Sequence, residues 1–164
     1  MRIYFAGPLF TTADIAFNKR LTAALRDRGH EVFLPQENEQ DVADLGKIFR
    51  SDKGGVDWSQ LVLGNIDGAD SDSGTCWELG YGYARGKYII VYRTDFRVGK
   101  SDIVNLMVTE SANVVIVEPL IDVDVLAERI HQEIISRFAR PDMTPEVREA
   151  IRREAYERDT GGAM

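Results

Sequence analysis

Five short apolar runs recur along the chain with stretches of helical spacing between them, and this alternation restricts the fold more than any other feature of the sequence. Arg2 to Ala6 ends at Gly7-Pro8 and reads as a buried strand closed by a turn. Glu31 to Pro35, Leu61 to Ile66, Lys87 to Arg93 and Asn113 to Pro119 supply the other strands. A helix begins near Thr12, with Ile15, Leu21, Ala24 and Leu25 on one face and Gly29 at its stop. Ile48 to Trp58 reads as helical across Gly54-Gly55, as do Gly74 to Arg85 and Val123 to Phe138. Thr144-Pro145-Glu146 opens a highly charged last helix. Strands that alternate with helices form right-handed crossovers and a parallel sheet covered on both faces. The expectation is one doubly wound, Rossmann or flavodoxin-like α/β domain over residues 1–164, with five parallel strands and an extra C-terminal helix.

Composition narrows the partners. Twenty Lys plus Arg against twenty-seven Asp plus Glu leave a net charge of −7, which argues against a groove that neutralises nucleic-acid phosphates. One cysteine, Cys76, excludes an internal disulfide framework, and two distant histidines without a CxxC make a structural metal site improbable. The expected compartment is cytosolic. The apolar start MRIYFAGPLF is too short for a signal peptide or membrane span, so no membrane partner is expected. Neither GxGxxG nor GxxxxGK[ST] occurs, which counts against a dinucleotide or triphosphate cofactor. No cofactor and no metal are expected.

In doubly wound folds ligands bind beyond the carboxyl ends of the strands. Three loops therefore matter: Gly7 to Thr11, Gln36 to Gly46, and Asp67 to Gly74. The stretch DGADSDSGTCWELG, residues 67–80, is the densest in chemistry. One reading of it is structural. Thr75-Cys76-Trp77-Glu78 matches a capping box with Thr75 at the N-cap, and Asp67, Asp70 and Asp72 would be turn and helix-dipole residues on a solvated loop. The other reading sends Glu78, one turn into its helix, toward the strand-end crevice, where a buried carboxylate is costly unless it has a role. The small residues of Leu79-Gly80-Tyr81-Gly82 would let that helix lie close to the sheet or to a second subunit.

The run D-x-D-S-G-T-x-x-E-L-G-Y, followed by G-K-Y-I-I-V-Y-R-T-D, resembles the nucleoside 2-deoxyribosyltransferase family, and the likeness extends over most of the chain. Ile3 to Phe10 resembles that family's substrate-binding first loop, and Asn105-Leu106-Met107 resembles its N-L-M segment. The resemblance implies Glu78 as nucleophile, Asp52 as the acid that protonates the leaving base, and Tyr4 as the group that fixes the nucleophile's angle. It also implies that Asp72 and Asn105 hold the sugar's free 5′-hydroxyl and that Met107 and Gly7 line the pocket. Phe10 would stack on the base, unless it is an ordinary core residue. Gln36 would read base edges, a task that Gln40 fits as well. The implied substrates are a 2′-deoxynucleoside and a free nucleobase. The assembly would be a homo-oligomer, dimer or hexamer, in which the Asn105 segment completes a neighbouring site.

Two departures stand out. The resembling bacterial transferases end soon after the fifth strand, with a terminal carboxylate near the site, whereas this chain continues through a charged helix from Thr144 to Arg158. Cys76 lies two residues before Glu78 and reads as a small apolar residue, since no histidine stands nearby to activate it. Two rival functions remain open at this level. The first is a deoxynucleoside or deoxynucleotide N-glycosidase using the same glutamate with water as acceptor. The second is a non-catalytic nucleotide-sensing module in which Glu78 only caps its helix.

Overall fold

A computed structural model describes residues 1–38, 44–96 and 105–138. Five strands, β1 (Arg2–Ala6), β2 (Glu31–Phe33), β3 (Leu61–Asn65), β4 (Tyr88–Arg93) and β5 (Val114–Val117), form one parallel sheet in the order β2-β1-β3-β4-β5. Successive side chains of a strand point to opposite faces, so each strand feeds two cores. Tyr4, Ala6, Val62, Ile89 and Val91 build one of them together with Val56, Leu79 and Val108. The covering helices there are α2 (Leu45–Trp58), α3 (Ser73–Ala84) and the short α4 (Leu106–Ser111). Phe5 and Tyr92 face the other way, where Phe17 of α1 (Thr12–Asp27) meets Tyr92. On that side Arg28 at the end of α1 pairs with Glu128 of α5 (Val123–Phe138). Met1–Ile130 forms one compact unit, and His131 onward groups as a second.

This is the doubly wound architecture expected from the alternation of strands and helices. The order reverses between β1 and β3, and the crevice beyond their carboxyl ends is where such sheets bind ligands. Close packing brings α3 down onto that edge. A Cβ on Gly64 of β3 would come within 2.9 Å of Leu79, and one on Gly82 within 2.8 Å of Val62. Helix and strand therefore lie nearer than side chains normally permit.

Several boundaries differ from expectation for identifiable reasons. β2 stops at Phe33 because Pro35 opens a 3-10 turn, Pro35–Glu37. α2 begins at Leu45, capped by Asp44, whose carboxylate accepts from the Lys47 amide at 2.9 Å. Its first turns carry Leu45 and Phe49 on the exposed side, so no core periodicity announces them. α4 buries only Val108, too little to leave a periodic signature. The charged helix expected from Thr144 to Arg158, and Gln40 in the second loop, lie outside the described residues.

Candidate active site

The capping-box reading of Thr75 and Glu78 is incorrect. α3 starts at Ser73 and its N-cap is Asp72, whose Oδ2 accepts from the Thr75 amide at 2.8 Å and from Thr75 Oγ1 at 3.1 Å. Thr75 is buried inside the first turn. An aspartate three residues before a threonine offers the same cap geometry as a threonine three before a glutamate, and the earlier acceptor takes the helix start. Glu78 is thereby released from capping.

It is engaged elsewhere. The hydroxyl of Tyr4 donates to Glu78 Oε1 at 2.5 Å. Tyr4 is fully buried on β1, with its ring stacked on Phe33 at 5.5 Å between centroids. α2 crosses directly above, because a Cβ on Gly55 would stand 2.9 Å from both rings. Asp52 lies one turn before Gly55 on the same helical face. Three elements thus bring Tyr4, Asp52 and Glu78 together. Asp57, five residues after Asp52 on α2, accepts from Lys53, from the Tyr81 hydroxyl and from Arg85, which fastens α2 to α3.

The electrostatics of this cluster are unusual for surface carboxylates. Burial pushes Glu78 up to about 7, aided by the negative charges of Asp52 and Asp72 and opposed by the Tyr4 hydrogen bond. Burial alone pushes Asp52 up to about 6. Among the described residues its buried Oδ1 has no hydrogen-bond partner, an arrangement that native proteins seldom retain outside working sites. Tyr4 is held far above the ordinary phenol range, first by burial and then by Glu78, so it remains a donor. Near neutrality the carboxylate pair holds about one proton. One member can then act as an anion while the other carries a transferable hydrogen.

The remaining residues fall around this centre in different ways. Asp72 is close enough to raise the Glu78 value. Phe10 is 75% exposed on the loop after β1, which excludes the ordinary-core reading. Gly7 sits where a Cβ would crowd Phe5 and Asn65 at 3.1 and 3.2 Å. Gln36 is tied to α1: its Oε1 accepts from Asn18 at 3.2 Å and its Nε2 donates to the Ile15 carbonyl at 2.9 Å. Asn18 also donates to the Pro8 carbonyl, so it joins the first two loops; a buried asparagine in a helix gives no sequence signal of this. Asn105 caps α4 by accepting from the Met107 amide, and Met107 is 78% exposed. These two stand on α4, which packs against α3, rather than in the Tyr4–Glu78 cluster. Cys76 is partly buried against the core, and burial pushes its thiol up, as suits a packing residue. No three His, Cys, Asp or Glu among the described residues are grouped to hold a metal.

The chain is similar to known proteins in sequence and in fold. An uncharacterised protein of Ureaplasma parvum serovar 3 is 31% identical over 119 residues, 61% of this chain and 74% of the relative. The structure of a 2-deoxyribosyltransferase from Bacillus psychrosaccharolyticus matches at 28% identity and a TM-score of 0.64, covering 77% of this chain and 90% of that one. A CMP N-glycosidase from Clostridium botulinum shares the fold at 19% identity and a TM-score of 0.59, covering 81% and 99% respectively. The family model described as nucleoside 2-deoxyribosyltransferase matches residues 3–136, and on that match the chain belongs to the nucleoside 2-deoxyribosyltransferase family.

Proposed function

We propose that the protein exchanges the purine or pyrimidine base of 2′-deoxynucleosides through a covalent deoxyribosyl ester on Glu78, with net retention. The observation that carries this reading is the 2.5 Å hydrogen bond from buried Tyr4 to Glu78 Oε1, with Asp52 beside it. Tyr4 holds one carboxylate oxygen and leaves the other as the attacking atom. As the new bond from Glu78 oxygen to C1′ forms, the bond from C1′ to the base nitrogen breaks. The Asp52 proton passes to that nitrogen, so a neutral base departs. General acid assistance of this kind contributes ~10²–10⁴-fold. A second base then attacks C1′ from the side the first one left, its proton passes to Asp52, and the Glu78 carboxylate is regenerated. Two inversions give retention, as in retaining glycosidases.

Asp72 supports nucleosides over nucleotides as substrates, since a carboxylate suits a neutral 5′-hydroxyl and repels a phosphate dianion. Asn105 would share that hydroxyl in a neighbouring subunit, with Phe10 stacking on the base and Gln36 presenting the unused valences of its amide. The exposed Leu106 and Met107 at the start of α4 support such a contact between subunits. Intact-mass spectrometry after mixing with deoxyinosine tests the mechanism. The expected result is a protein heavier by one deoxyribosyl group, an adduct missing from Glu78→Ala. Adding adenine should discharge it as deoxyadenosine; acceptor-independent release of hypoxanthine would instead identify a hydrolase. Undiminished turnover by Glu78→Ala refutes the assignment.

A further inference from the structure

The run Arg93-Thr94-Asp95 at the end of β4 belongs to the motif that marks the family resemblance, yet the chemistry above gives it no task. Its side chains are far from idle. Arg93 is buried, and its guanidinium donates to the Ile66 carbonyl at 2.9 Å and to the Gly68 carbonyl at 2.6 Å. The return contacts come from Asp67. Its Oδ1 accepts from the amides of Thr94 and Asp95 at 2.6 and 2.8 Å, while its Oδ2 accepts from Thr94 Oγ1 at 2.6 Å. The Gly68 amide closes the knot by donating to Asp95 Oδ2 at 3.2 Å. Six hydrogen bonds therefore cross between residues 66–68 and 93–95, beyond the last ladder pair of Asn65 with Tyr92. Asp67 is thus not the solvated turn residue that composition suggests.

The knot holds a turn that would otherwise be pliable. Gly68 has a φ of +108°, and a Cβ there would stand 3.0 Å from the Asp70 carbonyl, so the chain reverses through a conformation that glycine alone tolerates. Asp72 follows four residues later and is fixed on its far side by the helix cap through Thr75. Its carboxylate is suspended between two anchors. That matters for a neutral ligand, because a hydroxyl is drawn in by no long-range attraction and must meet its acceptor at hydrogen-bonding distance.

We propose that Asp67, with Arg93 and Thr94, is a positioning residue for recognition of the sugar's 5′-hydroxyl: the knot sets the height of the β3–α3 turn, and with it the reach of Asp72. The proposal rests on the reading of the site as a deoxyribosyltransferase. A displacement of about 1 Å at such a contact costs up to ~10²-fold in reaction efficiency.

The test compares kcat/KM for a 2′-deoxynucleoside with that for its 2′,5′-dideoxy analogue, which lacks only the hydroxyl that Asp72 would hold. In Asp67→Ala the preference for the hydroxylated substrate should fall by about tenfold or more, through KM, with little change for the analogue. Thr94→Val, which removes one bond of the knot, should show a smaller loss of the same kind and carries the test should Asp67→Ala fail to fold. Asp67→Asn should retain the preference, since its carbonyl can accept from both amides and its NH₂ can donate to the Thr94 hydroxyl. Parallel losses on both substrates, or an unchanged preference in every variant, overturn the proposal. A wild type that transfers without distinguishing the substrates overturns it too, and a wild type with no transfer removes the underlying reading along with it.

Discussion

Glu78 and Asp52 lie near each other with values raised to about 7 and about 6, and the proposed exchange needs the first as an anion and the second protonated. The higher value of Glu78 puts the shared proton mainly on Glu78, so the required form is the minor arrangement of the one-proton state, and kcat/KM should trace a bell of reduced height with its maximum between about pH 6 and 7. Removing the charge of its neighbour in Asp52→Asn should move the Glu78 ionisation to lower pH. Removing the stabilising hydrogen bond in Tyr4→Phe should move it higher. Pre-steady-state rates of adduct formation against pH check both directions. The same burial affects stability with a definite sign. The folded protein binds more protons than the unfolded chain between the ordinary value of 4.5 and about 7, so the contribution of Glu78 to stability falls as pH rises through that window. Glu78→Gln, inactive but still able to accept from Tyr4, should therefore be more stable than the wild type at pH 8 by on the order of 1–3 kcal/mol and closely matched at pH 4. Thermal melts at the two pH values measure it. The strand and the acidic, glycine-punctuated loop before Glu78 left two readings open, a helix cap or a residue of the strand-end crevice, and the structure excludes the cap. The partner of Glu78 in the fold was legible only through resemblance, since a tyrosine in a buried strand carries no mark that its hydroxyl meets a residue seventy-four positions away.

At the scale of elements, the two glycines in the middle of α2 separate intrinsic preference from packing. Alanine is ordinarily the better helix former by about 1 kcal/mol. Nothing lies within 4 Å of a Cβ on Gly54, so Gly54→Ala should stabilise by about 0.5–1 kcal/mol. On Gly55 the added methyl meets the rings of Phe33 and Tyr4 at 2.9 Å, so Gly55→Ala should destabilise by about 1–3 kcal/mol and lower turnover by tilting Tyr4. Urea titrations of the two variants would show opposite shifts. The sequence announces α2 but presents the glycine pair as a mere weakness; that one of them seats the helix against Tyr4 depends on the long-range approach of α2 to β1. The elements that the sequence hid share a cause. The first turns of α2 and all of α4 bury too little apolar surface to impose a period, whereas α1 and α3 sit firmly on the sheet and were readable within a few residues.

For the whole molecule, the parallel doubly wound sheet followed from alternation and handedness, while its order, with the reversal between β1 and β3, is read from the structure. What the chain pattern could not convey is the surface left over. Phe49, Trp77, Leu106 and Met107 are all largely exposed on α2, α3 and α4. In water such a surface favours self-association. Light scattering coupled to gel filtration should find a homo-oligomer, and Met107→Asp should shift it toward monomer with a matching loss of transfer, while a wild-type monomer at full activity would exclude a shared site. The crowding of Tyr4, Phe33 and Gly55 has a final consequence for anyone wishing to widen the range of sugars or bases accepted. The packing beneath the Tyr4 and Glu78 side chains has no slack to carve, so enlargements made there should cost folding before they gain scope; redesign belongs on the loop after β1, where Phe10 is largely exposed.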